Sequence, residues 1–205
     1  MLRAERVPIV AAMDAPTLPV TGDPDADRLL VEDPLALLLG MLLDQQVPME
    51  WAFSSPLKLR ERLGGRLDAA AIARMPLEEL EAAFKGPPAL HRYPGSMAKR
   101  AHQLCQHLVE EHGGDAAAVW TDVPTGAALF ARLRALPGYG GEKAKIFLAL
   151  LAKRFGVRPE GWEELAGPFA DSTPRSVADV DSPDALQRVR EFKKMKKAEG
   201  KGKAD

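Results

Sequence analysis

The stretch Leu136-Pro137-Gly138-Tyr139-Gly140-Gly141-Glu142-Lys143-Ala144 decides how this chain is read. An amphipathic run precedes it and a strongly apolar run follows it, which predicts two helices joined by a turn. Pro137 fixes one φ angle, while Gly138, Gly140 and Gly141 permit positive φ and leave the backbone bare. A second helix starting near Gly141 would aim its first unpaired N–H groups back across the turn. Orphan donors and the positive end of the helix dipole coincide there, so the turn is a seat for a phosphate. The alternative is an αα-corner whose glycines serve only the turn.

Outward from this stretch the chain reads as helices. Its 205 residues suit one domain or two small lobes, and a hydrophobic content of 46% suffices for a core. Aromatic content is only 6%, Ala and Leu dominate, and no strand-like alternation or internal repeat is present. Asp23-Pro24, Asp33-Pro34 and Ser182-Pro183 each pair an N-cap with proline at the first helical position. Ser55-Pro56 predicts a further start, and Asp68 and Pro76 begin two short helices. Leu35 to Leu43 is apolar on every side, as a buried central helix would be, and Ala144 to Leu151 repeats that pattern. Residues 1–22, broken by Pro8, Pro16, Pro19 and Gly22, predict a loosely held arm; 23–180 the helical body; 181–205 a helix ending in a basic tail, with the last dozen residues disordered.

Charge and cysteine usage exclude several classes. The formal net charge is −1, but acids crowd the beginning and bases gather from Arg92 to Arg158, so one face can attract polyanions despite a neutral total. The single cysteine, Cys105, rules out a disulfide framework, a zinc ribbon or a four-cysteine cluster within the chain. The four histidines have no metal spacing, and only His91 stands out as functional. No apolar run is long enough to span a bilayer and no secretory signal is evident, so a cytosolic monomer is expected.

With its LPGYG turn entering a helix, the chain resembles the helix-hairpin-helix of the HhH-GPD superfamily of base-excision DNA glycosylases. The segment LLLGMLLDQQ resembles that family's apolar helix ending in a glutamine-bearing loop, and Tyr93 to Arg100 resembles its tyrosine loop and following helix start. The resemblance spans roughly Pro34 to Trp162, and the three motifs agree in order. It implies an all-α, two-lobed fold with the hairpin at about 125–155. It also implies that the backbone of Pro137, Gly138, Tyr139, Gly140 and Gly141 binds DNA phosphates, with a monovalent cation at the hairpin carbonyls. Gln46, with Gln45 beside it, would wedge into the duplex. Tyr93, Lys99 and Arg100 would line the DNA, and Lys143 and Lys145 would meet phosphate. The partner implied is double-stranded DNA with a damaged or mismatched base, met at the nucleoid. No cofactor is expected, and the family's iron–sulfur cluster cannot form with one cysteine.

The chemistry departs from the family pattern. As a base leaves its sugar, positive charge grows on the sugar, and a nearby carboxylate stabilises it or activates water. The family places an aspartate in a Gly/Pro-rich loop after the hairpin. That spacing falls on Glu160 to Glu164, which orders the candidates as Glu160, Asp171, then Glu163. The lysine that gives some members strand-cutting activity aligns with Glu142, and Lys143 lies about 100° further round the helix. A glycosylase without lyase activity is therefore expected; the alternatives are a DNA binder that has lost the aspartate, or a helical protein-interaction module.

Overall fold

The computed structural model describes residues 16–200 and 202, and among these it contains ten α-helices and no named strand. They are α1 Pro24–Glu32, α2 Pro34–Leu43, α3 Met49–Arg62, α4 Ala69–Arg74, α5 Leu77–Lys85, α6 Pro94–His112, α7 Gly126–Ala135, α8 Gly141–Arg154, α9 Trp162–Ala166 and α10 Pro183–Ala198. The Asp-Pro and Ser-Pro signals act as expected. Asp23, Asp33 and Ser182 each accept a first-turn amide, and proline occupies the first helical position each time.

Two apolar helices centre the molecule. In α2 every residue from Leu35 to Leu43 is buried, and it packs against α1, α3 and the 3₁₀ turn Ala116–Val119. In α8, Ala144 and the run Ile146 to Ala152 are buried beneath α7, α9 and the 3₁₀ turn Val177–Asp179. The long α6 carries α4 and α5. These helices share one connected core that includes Phe53, Phe84, Cys105, Phe147 and Trp162. Burial pushes the Cys105 thiol up to about 12, so it stays protonated and apolar in behaviour.

Three expectations are corrected. Within the predicted arm, Leu18 and Val20 are fully buried, and Asp27 accepts hydrogen bonds from the amides of Val20 and Thr21. Residues 16–22 are therefore docked; residues 1–15 lie outside the described residues. The start expected at Ser55-Pro56 is instead the middle of α3, which runs through Pro56. A proline inside a helix costs about 3 kcal/mol, and burial of Phe53, Leu57 and Leu59 on either side opposes that cost. Lastly, α10 stays helical to Ala198. Lysine is a good helix former and its charge suits a helix C-terminus, so the lysine run extends the helix. Lys201 and residues 203–205 lie outside the described residues.

Candidate nucleic-acid interface

Thr125 caps α7 through its hydroxyl, and α7 delivers the chain to the turn. The Tyr139 amide donates to the Leu136 carbonyl at 3.0 Å and closes the turn. Gly138 sits at φ +85°, and a Cβ there would fall 2.3 Å from Leu42 Cδ1. Only glycine allows both the left-handed backbone and that approach to α2. Gly140, the N-cap of α8, is exposed, and a Cβ on it would meet nothing within 4 Å. The amides of Gly138, Gly140 and Gly141 donate no hydrogen bond among the described residues. Open donors at the start of a 14-residue helix form an anion seat. The Leu136 carbonyl keeps one lone pair beyond the Tyr139 bond, which fits a cation ligand supplied by the backbone.

Two side chains of the hairpin are turned inward, and for Lys143 this corrects the expected phosphate contact. Tyr139 is buried, and its hydroxyl donates to the Leu38 carbonyl at 2.8 Å; burial pushes that phenol well above its ordinary pKa. Lys143 donates to the carbonyls of Met41 at 2.6 Å and Leu42 at 2.7 Å, with its ammonium 5.9 Å from the Tyr139 ring centroid. The physical reason is the end of α2. A helix leaves its last four carbonyls without intrahelical partners. Here Gly40 receives the Asp44 amide, Met41 and Leu42 receive Lys143, and Leu43 receives the Gln45 amide. The hairpin helix thus completes the end of α2 and neutralises its dipole.

The glutamine loop emerges from that same end. Gln45 is held fast: its amide nitrogen donates to the Leu42 carbonyl at 2.9 Å, and its carbonyl oxygen accepts from Arg100 at 2.8 Å. Gln46 follows at φ +57°, exposed, with no hydrogen bond from its side chain among the described residues. Among residues other than glycine, Asn and Asp are the ones enriched in this conformation, so a glutamine there is held by its surroundings. His91 supplies part of the hold. It is buried, accepts the Tyr93 amide at Nδ1 (3.0 Å), and through Nε2 donates to the Gln45 carbonyl at 2.9 Å. An amide donating to Nδ1 fixes the neutral tautomer with the proton on Nε2. Burial first, with Lys143 and Arg100 nearby, lowers the His91 pKa against the opposing bonds to Gln45 and Leu43. Tyr93, 44% exposed, stands at the start of α6 with Arg92 stacked over its ring. The Gly138 turn, Gln46 and Tyr93 therefore crown adjoining supports, with Leu42, Gln45, Arg100 and His91 beneath them.

Lys99 and Lys145 form no hydrogen bond or ion pair among the described residues, and Lys99 is exposed. The carboxylates lie elsewhere. Glu160 is exposed, and its carbonyl accepts the Gly126 amide at 2.7 Å. That docks it at the far end of α7, nine residues and about 14 Å along the helix from Ala135. Gly126 permits the docking, since a Cβ would fall 2.7 Å from the Trp162 nitrogen. Trp162 itself is core. Glu163 is exposed on α9. Asp171 belongs to a charge cluster at the distal end of α8, around an open recess of about 520 Å³ lined by Lys153, Arg154, Asp179 and Arg188. Burial raises its carboxyl, but the Thr173 amide and the Arg175 guanidinium outweigh this and hold it below the ordinary range. That end is about 18 Å along α8 from Gly141.

Arg134 is a further candidate that the sequence reading passed over. Its guanidinium lies over the turn, with Nη1 3.0 Å from where a Gly141 Cβ would stand. A signal was available: Arg132 and Arg134 are both bases in the last turn of the first hairpin helix, and one of them reaches the glycines. Arg132, two residues earlier, instead donates to the carbonyls of Ala118 and Thr121.

An all-helical body whose hairpin turn is packed against a glutamine loop defines a class of DNA-repair proteins, and the family comparison agrees. The model of the HhH-GPD superfamily of base excision DNA repair proteins matches residues 39–202. The chain belongs to that superfamily. No curated protein sequence matches it. Among solved structures it is similar to a trapped covalent intermediate of endonuclease III with DNA, an estranged-adenine complex. That likeness has 18% identity and a TM-score of 0.44, covering 80% of this chain and 73% of that one. Among the described residues, no helix is long and apolar enough to cross a membrane, and no group of His, Cys, Asp or Glu is placed to hold a metal ion.

Proposed function

We propose that this protein is a monofunctional DNA glycosylase that binds duplex DNA and releases a damaged or mismatched base. The observation that carries the reading is the placement of Gln46. It is exposed in a left-handed conformation, its loop is braced by His91, and that loop leaves the end of α2 on which the Gly138 turn packs. The hairpin amides and Arg134 hold the phosphates, which fix register. Gln46 enters the stack and fills the gap as a nucleotide leaves it, while Tyr93 offers a ring against which a neighbouring base stacks. The damaged-base contact is made by one chain without an iron–sulfur cluster.

Glu142 at the family's lysine position, and the engagement of Lys143 with α2, support hydrolysis without strand cleavage. Glu160 is the first candidate for the carboxylate that stabilises charge on the sugar. A second reading has its own support: neither Glu160 nor Asp171 is bonded to the hairpin end of α8, as a DNA binder without catalysis would show. A panel of duplexes carrying single damaged or mismatched bases, treated with alkali after incubation, separates the two. The glycosylase reading expects abasic sites on one substrate and their loss in Glu160→Gln. Tight, salt-sensitive binding with no base release on any substrate would favour the binder.

A further inference from the structure

The C-terminal helix α10 leaves the protein body beside the glutamine loop. Its first half is anchored. Ala185, Leu186 and Val189 are buried, and Arg175 stacks 5.5 Å from the Phe192 ring centroid. Arg190 pairs with Glu50, and Lys193 Nζ lies 3.8 Å from Met49 Sδ. Met49 and Glu50 open α3, directly after the loop that carries Gln46. Beyond Val189 no residue of the helix is buried, and past the Lys193 contact five residues, about 7.5 Å of helix, remain to Ala198.

Arg190, Lys194 and Lys197 recur at helical spacing and form one stripe. Arg190 fixes the orientation of that stripe, because it reaches the first turn of α3. Lys194 and Lys197 follow one and two turns further, both exposed and without an ion pair among the described residues. We propose that this projecting half of α10 is a second DNA-backbone contact, a basic rail whose Lys194 and Lys197 hold phosphates on the flank of the duplex next to the Gln46 loop. The inference rests on the DNA-binding reading above. Charge complementarity and continuity with the Gln46 loop select the occupant: a polyanion long enough to touch both the hairpin and α10.

The rail also has a mechanical consequence. Forcing a side chain into a base stack and unstacking a nucleotide costs a few kcal/mol. Phosphate contacts on both sides of the insertion point hold the duplex in place while that is done. The hairpin amides supply one side and α10 the other, with the Arg190–Glu50 pair keeping α10 at a fixed distance from the loop.

The test is a titration of the full chain against a fluorescent duplex bearing a stable abasic analogue, repeated over a series of salt concentrations. Lys194→Ala/Lys197→Ala is compared with wild type and with Arg28→Ala/Arg66→Ala, which removes the same charge. Arg28 lies on α1, and Arg66 lies by the start of α2, at the end opposite Gln46. Each phosphate contact contributes about 0.9 to the slope of log K against log salt. The α10 double variant is expected to lose about 1.8 of that slope, and the Arg28→Ala/Arg66→Ala variant none. An unchanged slope in the α10 variant, or equal losses in both variants, overturns the rail. Absence of salt-dependent binding by wild type would instead overturn the DNA-binding reading on which the rail depends.

Discussion

Lys143, in the first turn of α8, donates to the carbonyl oxygen of Leu42 in the last turn of α2 at 2.7 Å. A cation that the sequence offers to DNA is thus spent on closing a helix end. Lys143→Ala should leave the Met41 carbonyl without this partner and lose about 1–3 kcal/mol of stability by chemical denaturation. The salt slope of DNA binding should stay unchanged. Arg134→Ala should do the reverse, lowering the slope by about 0.9 with little change in stability. An exchange of these two signatures would mean that Lys143 is the phosphate contact.

Gly138 should tolerate no side chain. Gly138→Ala meets the left-handed backbone and the overlap with Leu42 Cδ1 together. The two costs sum to about 2–5 kcal/mol. Denaturant unfolding reads that loss directly. Gly140→Ala should cost far less, because open space surrounds that position.

His91 makes the brace of the two loops sensitive to acid. Its folded pKa is lowered from the ordinary 6.5, chiefly by burial. Between the folded value and 6.5 the unfolded chain therefore binds more protons than the native one, and stability falls as pH drops through that window. DNA affinity should weaken as well once pH falls through the folded value, which lies below 6.5, since protonated Nδ1 cannot accept the Tyr93 amide. His91→Asn should flatten the stability profile there, leaving the contribution of His112, whose pKa is lowered in the same direction. A profile with the same slope in the variant would remove His91 from this role.

Helix content was legible because Asp33-Pro34, Asp23-Pro24 and Ser182-Pro183 are local signals whose caps form within three residues. The all-apolar α2 and α8 read correctly as buried spines for the same reason. The inward turn of Lys143 was not legible. It depends on the end of α2, more than a hundred residues earlier, arriving beneath the hairpin. His91 shows the same limit: a lone histidine on a loop carries no sign that it faces the Gln45 carbonyl. The lysine run of α10 was misread because the Leu186, Val189 and Phe192 stripe was not extended through it. The carboxylate stayed ambiguous since the loop after α8 is fixed by tertiary docking of Trp162 on Gly126, which spacing alone does not show.

Insertion of Gln46 into the base stack is the claim on which the rest depends. The most direct measurement places 2-aminopurine next to a stable abasic analogue in a duplex and follows its fluorescence as protein is added. Wild type should raise the fluorescence as the base unstacks, while Gln46→Ala should bind with a near-normal salt slope and leave the signal low. Binding by wild type without any rise, or an equal rise with Gln46→Ala, would contradict the account.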